Sequence, residues 1–183
     1  MRYTQIRELD ISNGEGVGVA LFVQGCPFNP HCYNCFNPDT WDFNGGKEWT
    51  QETEDKLIEL ASRPYIKRLS ILGGEPLADE NLDGVLHLVD RFRLSCPNKT
   101  IWIYSGYTWN QVMNPVITDD FNLSRDELLH KRKEIVTQCN VMVDGRYVDS
   151  QRDITLKWRG SSNQRVIDIK KSLDNKKIVL HCE

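Results

Sequence analysis

The 183-residue chain has no apolar run near the roughly 20 residues that span a bilayer, which sets membrane proteins aside. It also lacks a basic excess: 23 Lys and Arg stand against 26 Asp and Glu, for a formal net charge of −3. Without a basic surplus there is no electrostatic footprint of a nucleic-acid binder. No sequence repeat and no low-complexity segment occurs. The first residues, Met1 to Asp10, hold no apolar signal-peptide core, so the expected compartment is cytoplasmic. What is present is ordinary: 39% hydrophobic and 27% charged residues. That composition argues against disorder, and the length suits a single domain over residues 1–183.

Six cysteines remain to be explained. A reducing compartment keeps thiols reduced and disfavours structural disulfides. Cys26, Cys32 and Cys35 cluster, whereas Cys96, Cys139 and Cys182 are scattered. The cluster points to a metal site and the scattered thiols to core filling. Three thiolates suit either zinc or an iron–sulfur cluster. Three ligands on a four-iron cluster leave one iron open, as catalytic metal sites do. With His31 as fourth ligand, zinc is the alternative. His31 adjoins Cys32, however, and the step from Cys26 is long for a zinc knuckle. The residues alone leave both readings open.

Apolar patterning gives the elements. Val17–Val23 is a short apolar run of the kind a buried strand shows. Thr50 can cap a helix whose first turn holds Glu52, Glu54 and Asp55 and whose apolar face holds Leu57, Ile58, Leu60 and Ala61. A strand over Arg68 to Leu72 runs into Gly73-Gly74-Glu75-Pro76. Leu82, Val85, Leu86, Val89 and Phe92 recur at helical spacing. A strand over Thr100 to Tyr104 stops at Ser105-Gly106-Tyr107. Thr108 heads a short helix ending before Pro115. Ser124 to Glu127 reads as a capping box for a helix with Leu128, Leu129, Ile135 and Val136 facing inward. Strands follow over Asn140 to Val143, near Val166 to Ile169, and near Lys177 to Leu180. The alternation predicts an α/β fold with a mostly parallel sheet and crossover helices. It has too few units for a closed eight-stranded barrel, so an open, partial β/α barrel is expected.

Each unusual motif falls just after an expected strand: the cysteine loop, Gly-Gly-Glu, Ser105-Gly106-Tyr107 and Asp144-Gly145-Arg146. In a parallel sheet those ends share one edge, where α/β proteins place their sites. Glycines at 73 and 74 would let the backbone approach a ligand. Glu75 would accept hydrogen bonds from a ligand ammonium. Ser105 and Tyr107 would line the pocket or cap a turn. Asp144 and Arg146 would contact a ligand or partner, or form a salt bridge closing a turn. Asn163 and Arg165 would be partner contacts or tail packing.

Phe22-Val23-Gln24-Gly25-Cys26-Pro27, the pair Cys32 and Cys35 followed by Phe36-Asn37, and Gly73-Gly74-Glu75-Pro76-Leu77 resemble the radical S-adenosylmethionine superfamily. The segments Trp102 to Thr108, Val143 to Tyr147 and Arg159 to Arg165 narrow the resemblance. Together they are similar to the activating enzymes of anaerobic (class III) ribonucleotide reductases, over nearly the whole chain. The resemblance implies a [4Fe–4S] cluster held by Cys26, Cys32 and Cys35, with S-adenosyl-L-methionine on the open iron. It implies that Gly73, Gly74 and Glu75 hold the methionine end, and that Asn34, Cys35 and Phe36 lie by the adenine. Reductive cleavage would give a 5′-deoxyadenosyl radical that takes a hydrogen from a backbone glycine of the reductase, leaving a glycyl radical there. The implied partners are that reductase and an electron donor such as flavodoxin or ferredoxin, and a homodimer is possible. The superfamily's usual spacing leaves three residues between the first two cysteines; here five intervene, Pro27 to His31. Two extra loop residues cost little closure entropy. Asn34 stands where an aromatic is common, so Tyr33 or Phe36 would supply the stacking. Two other readings fit fewer motifs: a radical S-adenosylmethionine enzyme acting on a small molecule, and a zinc-stabilised interaction module.

Overall fold

The computed structural model describes residues 1–114 and 123–182, with the backbone alone at 123 and 124. Its strands are β1 (Arg2–Asp10), β2 (Gly18–Val23), β3 (Lys47–Glu48), β4 (Arg68–Gly73), β5 (Thr100–Ser105), β6 (Val141–Asp144) and β7 (Arg165–Asp168). The α-helices are α1 (Gln51–Ser62), α2 (Leu82–Ser95), α3 (Trp109–Met113), α4 (Leu123–Gln138) and α5 (Ile169–Asn175). One sheet forms in the order β3-β1-β2-β4-β5-β6-β7. The central neighbours β2, β4, β5 and β6 are parallel. The pairs β1–β2, β1–β3 and β6–β7 are antiparallel. Thus β2 to β6 all point one way, with β1 and β7 opposed. The sheet is open and mostly parallel, in accord with a partial barrel.

Period-two alternation gives the central strands two faces. Val19, Leu21, Leu69, Ile71, Ile101, Ile103, Met142 and Ile167 pack under the helices in the main core. The opposite face carries Ala20, Phe22, Leu72, Trp102, Tyr104, Val141, Val143 and Val166. Helices α1, α2 and α4 turn Leu57, Ile58, Val85, Leu88, Val89, Phe92, Ile135 and Val136 into the first layer. Leu86, expected inward, packs only at its margin, and Leu88 takes the buried position. Thr50 caps α1 by accepting from the Thr53 amide, as expected. Thr108 heads α3 in a reciprocal capping box with Gln111. The box expected at Ser124 lies partly outside the described residues.

Two elements differ from expectation. Arg2–Asp10 is a full strand, although its side chains are mostly half-exposed or exposed, so no buried alternation announced it. The tail from Lys177 to Leu180 forms no ladder. It touches β7 through Asp168 N to Val179 O (2.9 Å), His181 N to Val166 O (2.8 Å) and a single bridge to Leu180. The residues before it form α5, capped by the Asp168 side chain, which accepts from Lys171 N. Below the sheet, Arg68 and Asp10 form a fully buried pair at 2.7 Å. Arg68 also donates to Ser70 Oγ at 2.6 Å.

Candidate functional site

The chain leaves β2 at Val23 and enters the cysteine loop through Gln24, which is buried. Its amide nitrogen donates to the carbonyls of Asp39 (2.9 Å) and Asp42 (2.8 Å), and its oxygen accepts from the Thr4 hydroxyl. Gly25 N and Cys26 N then donate to Thr40 O (2.8 Å) and Trp41 O (3.0 Å). The loop's return limb is thereby tied to its start. Gly25 is at φ +97°, and a Cβ there would sit 2.1 Å from the Phe43 ring, so only glycine fits. The five residues between Cys26 and Cys32 are pinned as well. Arg146 donates to Pro30 O and lies over the Phe28 ring. His31 stacks flat on Trp41, 4.1 Å between centroids, with Nε2 3.3 Å from Cys26 O. His31 is thus engaged with the Trp41 ring and the Cys26 carbonyl. Among the described residues, no three His, Cys, Asp or Glu side chains converge as ligands of one metal ion do.

All six cysteines are free; Cys96 and Cys139 are buried in the core, as expected, and Cys26, Cys32 and Cys35 are half-buried. The three clustered thiols are close enough to feel one another. Burial pushes the Cys26 thiol up to about 11, and Glu75, Cys32 and Cys35 add to the rise. An anionic Cys26 sulfur therefore requires a cation beside it. A cationic iron–sulfur core held by this thiol would supply that charge, and the thiol would give up its proton on binding it. The donor set of soft thiols with no carboxylate ligand suits iron–sulfur chemistry.

At the end of β4 the chain meets the loop. Gly74 N donates to Val23 O (3.0 Å) and Glu75 N to Gly25 O (2.7 Å). A Cβ on Gly74 would lie 2.2 Å from Gly25 O, so close approach of two backbones requires this glycine. Glu75 is buried and occupied. Oε1 accepts from Leu77 N (2.9 Å) and Ser105 Oγ (2.8 Å), and Oε2 from Gly106 N (2.7 Å). Burial raises its acid strength threshold to about 7, against those three hydrogen bonds, which pull it down. The carboxyl therefore ties the β4 turn to the β5 turn, a function the sequence did not reveal. Asn81 completes the joint by donating to Gln24 O and Glu75 O, each at 3.0 Å.

These turns enclose a cavity of about 410 Å³, within the range of small-ligand sites. Cys26, Cys32 and Phe36 reach it from the loop, Gly73, Gly74 and Glu75 from β4, and Ser105 and Gly106 from β5. Gly145 and Arg146 follow from β6, and Arg159 and Gly160 from the loop before β7. All four strand-end motifs thus meet, as their positions predicted. Asn34 and Cys35 do not line the cavity; Asn34 takes a left-handed turn at φ +53° between them. Of the two aromatics proposed for stacking, Phe36 lines the cavity and packs edge-on against Tyr147 at 4.9 Å, while Tyr33 points to solvent. Asp144 is spent on a fork to Arg165 (3.0 and 2.5 Å) and on Trp109 N (2.7 Å). Two buried polar atoms of cavity residues have no partner among the described residues, Tyr104 Oη and Arg159 Nε. A polar ligand would meet them, so glycine cradle, thiols and orphaned donors together fit the cluster and a sulfonium amino acid. Sequence reasoning missed Gln24, Asn81, Tyr104 and Arg159. Gln24 could have been found from its place between a buried strand and the first cysteine.

A family model described as a 4Fe-4S single cluster domain matches residues 12–167. The chain is similar to the anaerobic ribonucleoside-triphosphate reductase-activating protein of Escherichia coli K12, with 39% identity over 168 residues, covering 91% of this chain and 97% of that one. The protein of the same name from Vibrio cholerae is 38% identical over 90% of this chain and 96% of its own. That of Enterobacteria phage T4 is 32% identical over 91% of this chain and 93% of its own.

Proposed function

Because this chain belongs to the family of anaerobic ribonucleoside-triphosphate reductase-activating proteins, we propose that it converts such a reductase to its glycyl-radical form. The observation that carries this reading is the meeting of the Cys26 and Cys32 thiols, with Cys35 close by on the same loop, and the Gly73-Gly74-Glu75 turn at one cavity at the edge of the parallel strands. When bound, a reduced [4Fe–4S] cluster supplies the electron that cleaves S-adenosylmethionine, whose 5′-deoxyadenosyl radical takes hydrogen from a glycine of the reductase.

The chain's own residues bind and position. Cys26, Cys32 and Cys35 hold the cluster, on a loop that Gln24 and the Thr40 and Trp41 carbonyls fix in place. Gly73 and Gly74 line the cavity where the methionine end would lie, and their missing side chains let the β4 turn pack against the Val23–Gly25 backbone. Glu75 acts by joining the turns on either side of that end; with three donors on its two oxygens it has little capacity left for the ligand ammonium. Phe36 covers the adenine, and Asn34 and Cys35 shape the turn that presents it. The layer of Ala20, Phe22 and Leu72 keeps water from the cavity floor. The reductase would supply its own glycine-bearing loop, so residues 1–183 act as one domain with an open site. A flavodoxin or ferredoxin would supply electrons, the chain would act alone or as a homodimer, and its location would be cytoplasmic, like that of the partner. Among the described residues no helix is long and apolar enough to cross a membrane.

The test is anaerobic reconstitution with iron and sulfide, reduction, and addition of S-adenosylmethionine with and without the reductase. About four irons per chain, 5′-deoxyadenosine and a glycyl signal on the reductase in electron paramagnetic resonance are expected. A glycyl signal that never forms, with 5′-deoxyadenosine still produced, would move the reading to a small-molecule substrate. A chain that takes up zinc and no cluster would overturn it.

A further inference from the structure

Most of the cavity is walled by strands and by loops tied to them. The cysteine loop and the Gly73-Gly74-Glu75 turn hold the end at the strand termini, where the cluster and its ligand would sit. Asn13 lines the opposite end, where its carbonyl accepts from Ser70 Oγ (2.5 Å) and its amide donates to Asp10 Oδ2 (3.0 Å). Residues 153–160 are a wall of another kind. Leu156, Trp158, Arg159 and Gly160 line the cavity from this segment. It packs over the sheet face that carries Trp102, Val141, Val143 and Val166, opposite the helices.

The two stems of the segment are bonded to each other and to the chain beyond. Arg152 and Ser161 form a bridge, Asp153 N donates to Gly160 O (3.2 Å), and Ser162 N donates to Gln151 O (2.9 Å). Gln164 Oε1 accepts from Gly160 N (2.9 Å) and Ser161 N (3.2 Å). Between the stems this bonding stops. Among the described residues, the hydrogen bonds of residues 154–158 run only from Thr155 N (2.8 Å) and Thr155 Oγ1 (2.6 Å) to Asp153 Oδ1, inside the segment itself. One indole holds the tip down. Trp158 packs edge-on against Trp102, 4.9 Å between ring centroids, and tilted against His181 at 5.8 Å. It does so at φ +60°, a left-handed conformation that costs a non-glycine residue energy and persists only where its surroundings enforce it. On the outer side Ile154 is 86% exposed, more than any other large apolar residue among those described.

A pinned base, a tip without hydrogen bonds across the cavity and a single strained anchor are the physical marks of a unit that opens locally. The proposed reaction needs an opening. A glycine of a large partner must reach the cavity while the cluster and its ligand fill the end at the strand termini. We propose that residues 153–160 are a strap latched by Trp158, which the reductase lifts by engaging Ile154, so that its glycine-bearing segment enters the cavity from the side. This rests on the function proposed above. In the free protein the closed strap keeps water from the cavity. Part of the interaction with the reductase goes into opening it, so the apparent affinity is reduced by the fraction of chains that are open.

The test uses that reduction. Trp158→Ala removes the latch and leaves the stems intact. Cluster-loaded wild type and variant are compared, with iron content measured on both. The first readout is trypsin cleavage after Lys157, which is exposed on the tip, in the absence of the reductase. Such nicking tracks the open population and should be about tenfold faster in the variant; equal rates would overturn the latch. The second readout is the affinity for the reductase by titration calorimetry. The variant should bind about three- to tenfold more tightly than wild type, because less opening remains to be done. Equal or weaker binding would overturn the gate, since Trp158 would then be a fixed wall or a contact of the partner. Should Trp158→Ala lose its iron, His181→Ala removes the other ring of the notch and carries both comparisons, with the same expected directions and the same refuting results. A wild type that takes up its iron yet never binds the reductase would refute the proposed function and the partner's part in the gate; the nicking comparison would still decide the latch.

Discussion

Replacing Glu75 with Gln separates a residue that joins two turns from one that waits for a ligand. In the folded chain the carboxyl accepts from Leu77 N, Ser105 Oγ and Gly106 N. A protonated carboxyl can still accept through both oxygens, whereas an amide nitrogen cannot. In acid, Glu75→Gln should therefore leave one donor without an acceptor and cost about 1–3 kcal/mol. At higher pH the comparison changes. Burial lifts Glu75 from 4.5 to about 7. Between those values the folded chain keeps a proton that the unfolded chain has released. The contribution of Glu75 to stability is thus full below pH 4.5 and is lost as pH rises through about 7. Across that window the loss is on the order of 3 kcal/mol, while Gln does not titrate. The variant should be less stable than wild type at pH 5, and the gap should close or reverse by pH 8. Urea unfolding of the metal-free protein, followed by tryptophan fluorescence, measures both values. A gap that stays constant, or widens as pH rises, would refute the reasoning.

Cys32→Ala should keep the fold, since Cys32 is only half-buried. It should lose the brown colour and 5′-deoxyadenosine formation, as visible absorption and product assay would show; retained cleavage would remove Cys32 from the cluster. Gly74→Ala places a Cβ 2.2 Å from Gly25 O and 2.8 Å from Thr40 O. It should destabilise the chain by about 1–3 kcal/mol and impair cluster retention, measured by denaturation and iron content. Asp10→Ala strands the buried Arg68 guanidinium and should cost about 3–5 kcal/mol in urea unfolding. Tyr104→Phe removes a buried hydroxyl that has no partner among the described residues, so thermal unfolding of the metal-free protein should find the variant at least as stable as wild type.

The central elements were legible because their signals are local. Val19 to Val23 and Arg68 to Leu72 read as buried strands from a few adjacent residues, and Thr50 and Thr108 mark helix starts through caps that need only three further residues. The three cysteines stood out by their spacing, and the order of motifs after strands was enough to predict that they meet. β1 escaped notice because a strand with half-exposed and exposed side chains carries no apolar alternation. The tail from Lys177 to Leu180 was expected as a strand because its apolar residues are adjacent, yet only β7 could pair with it, and it does so through isolated bonds.

The sequence by itself determined which chemistry is available: three soft thiols, a glycine turn, and strand ends that put them on one edge. Tertiary structure decided which polar residue does what. Glu75, Asp144 and Arg159 are alike in sequence terms, each a charged residue in a turn beside glycine. Only the fold gives Glu75 three donors from two turns, gives Asp144 the guanidinium of Arg165, and leaves Arg159 Nε with no partner among the described residues. The reason is physical. Backbone and apolar preferences act over a few residues along the chain, whereas the cost of burying a charge depends on partners that can lie far away in sequence and reach it only when the sheet is assembled.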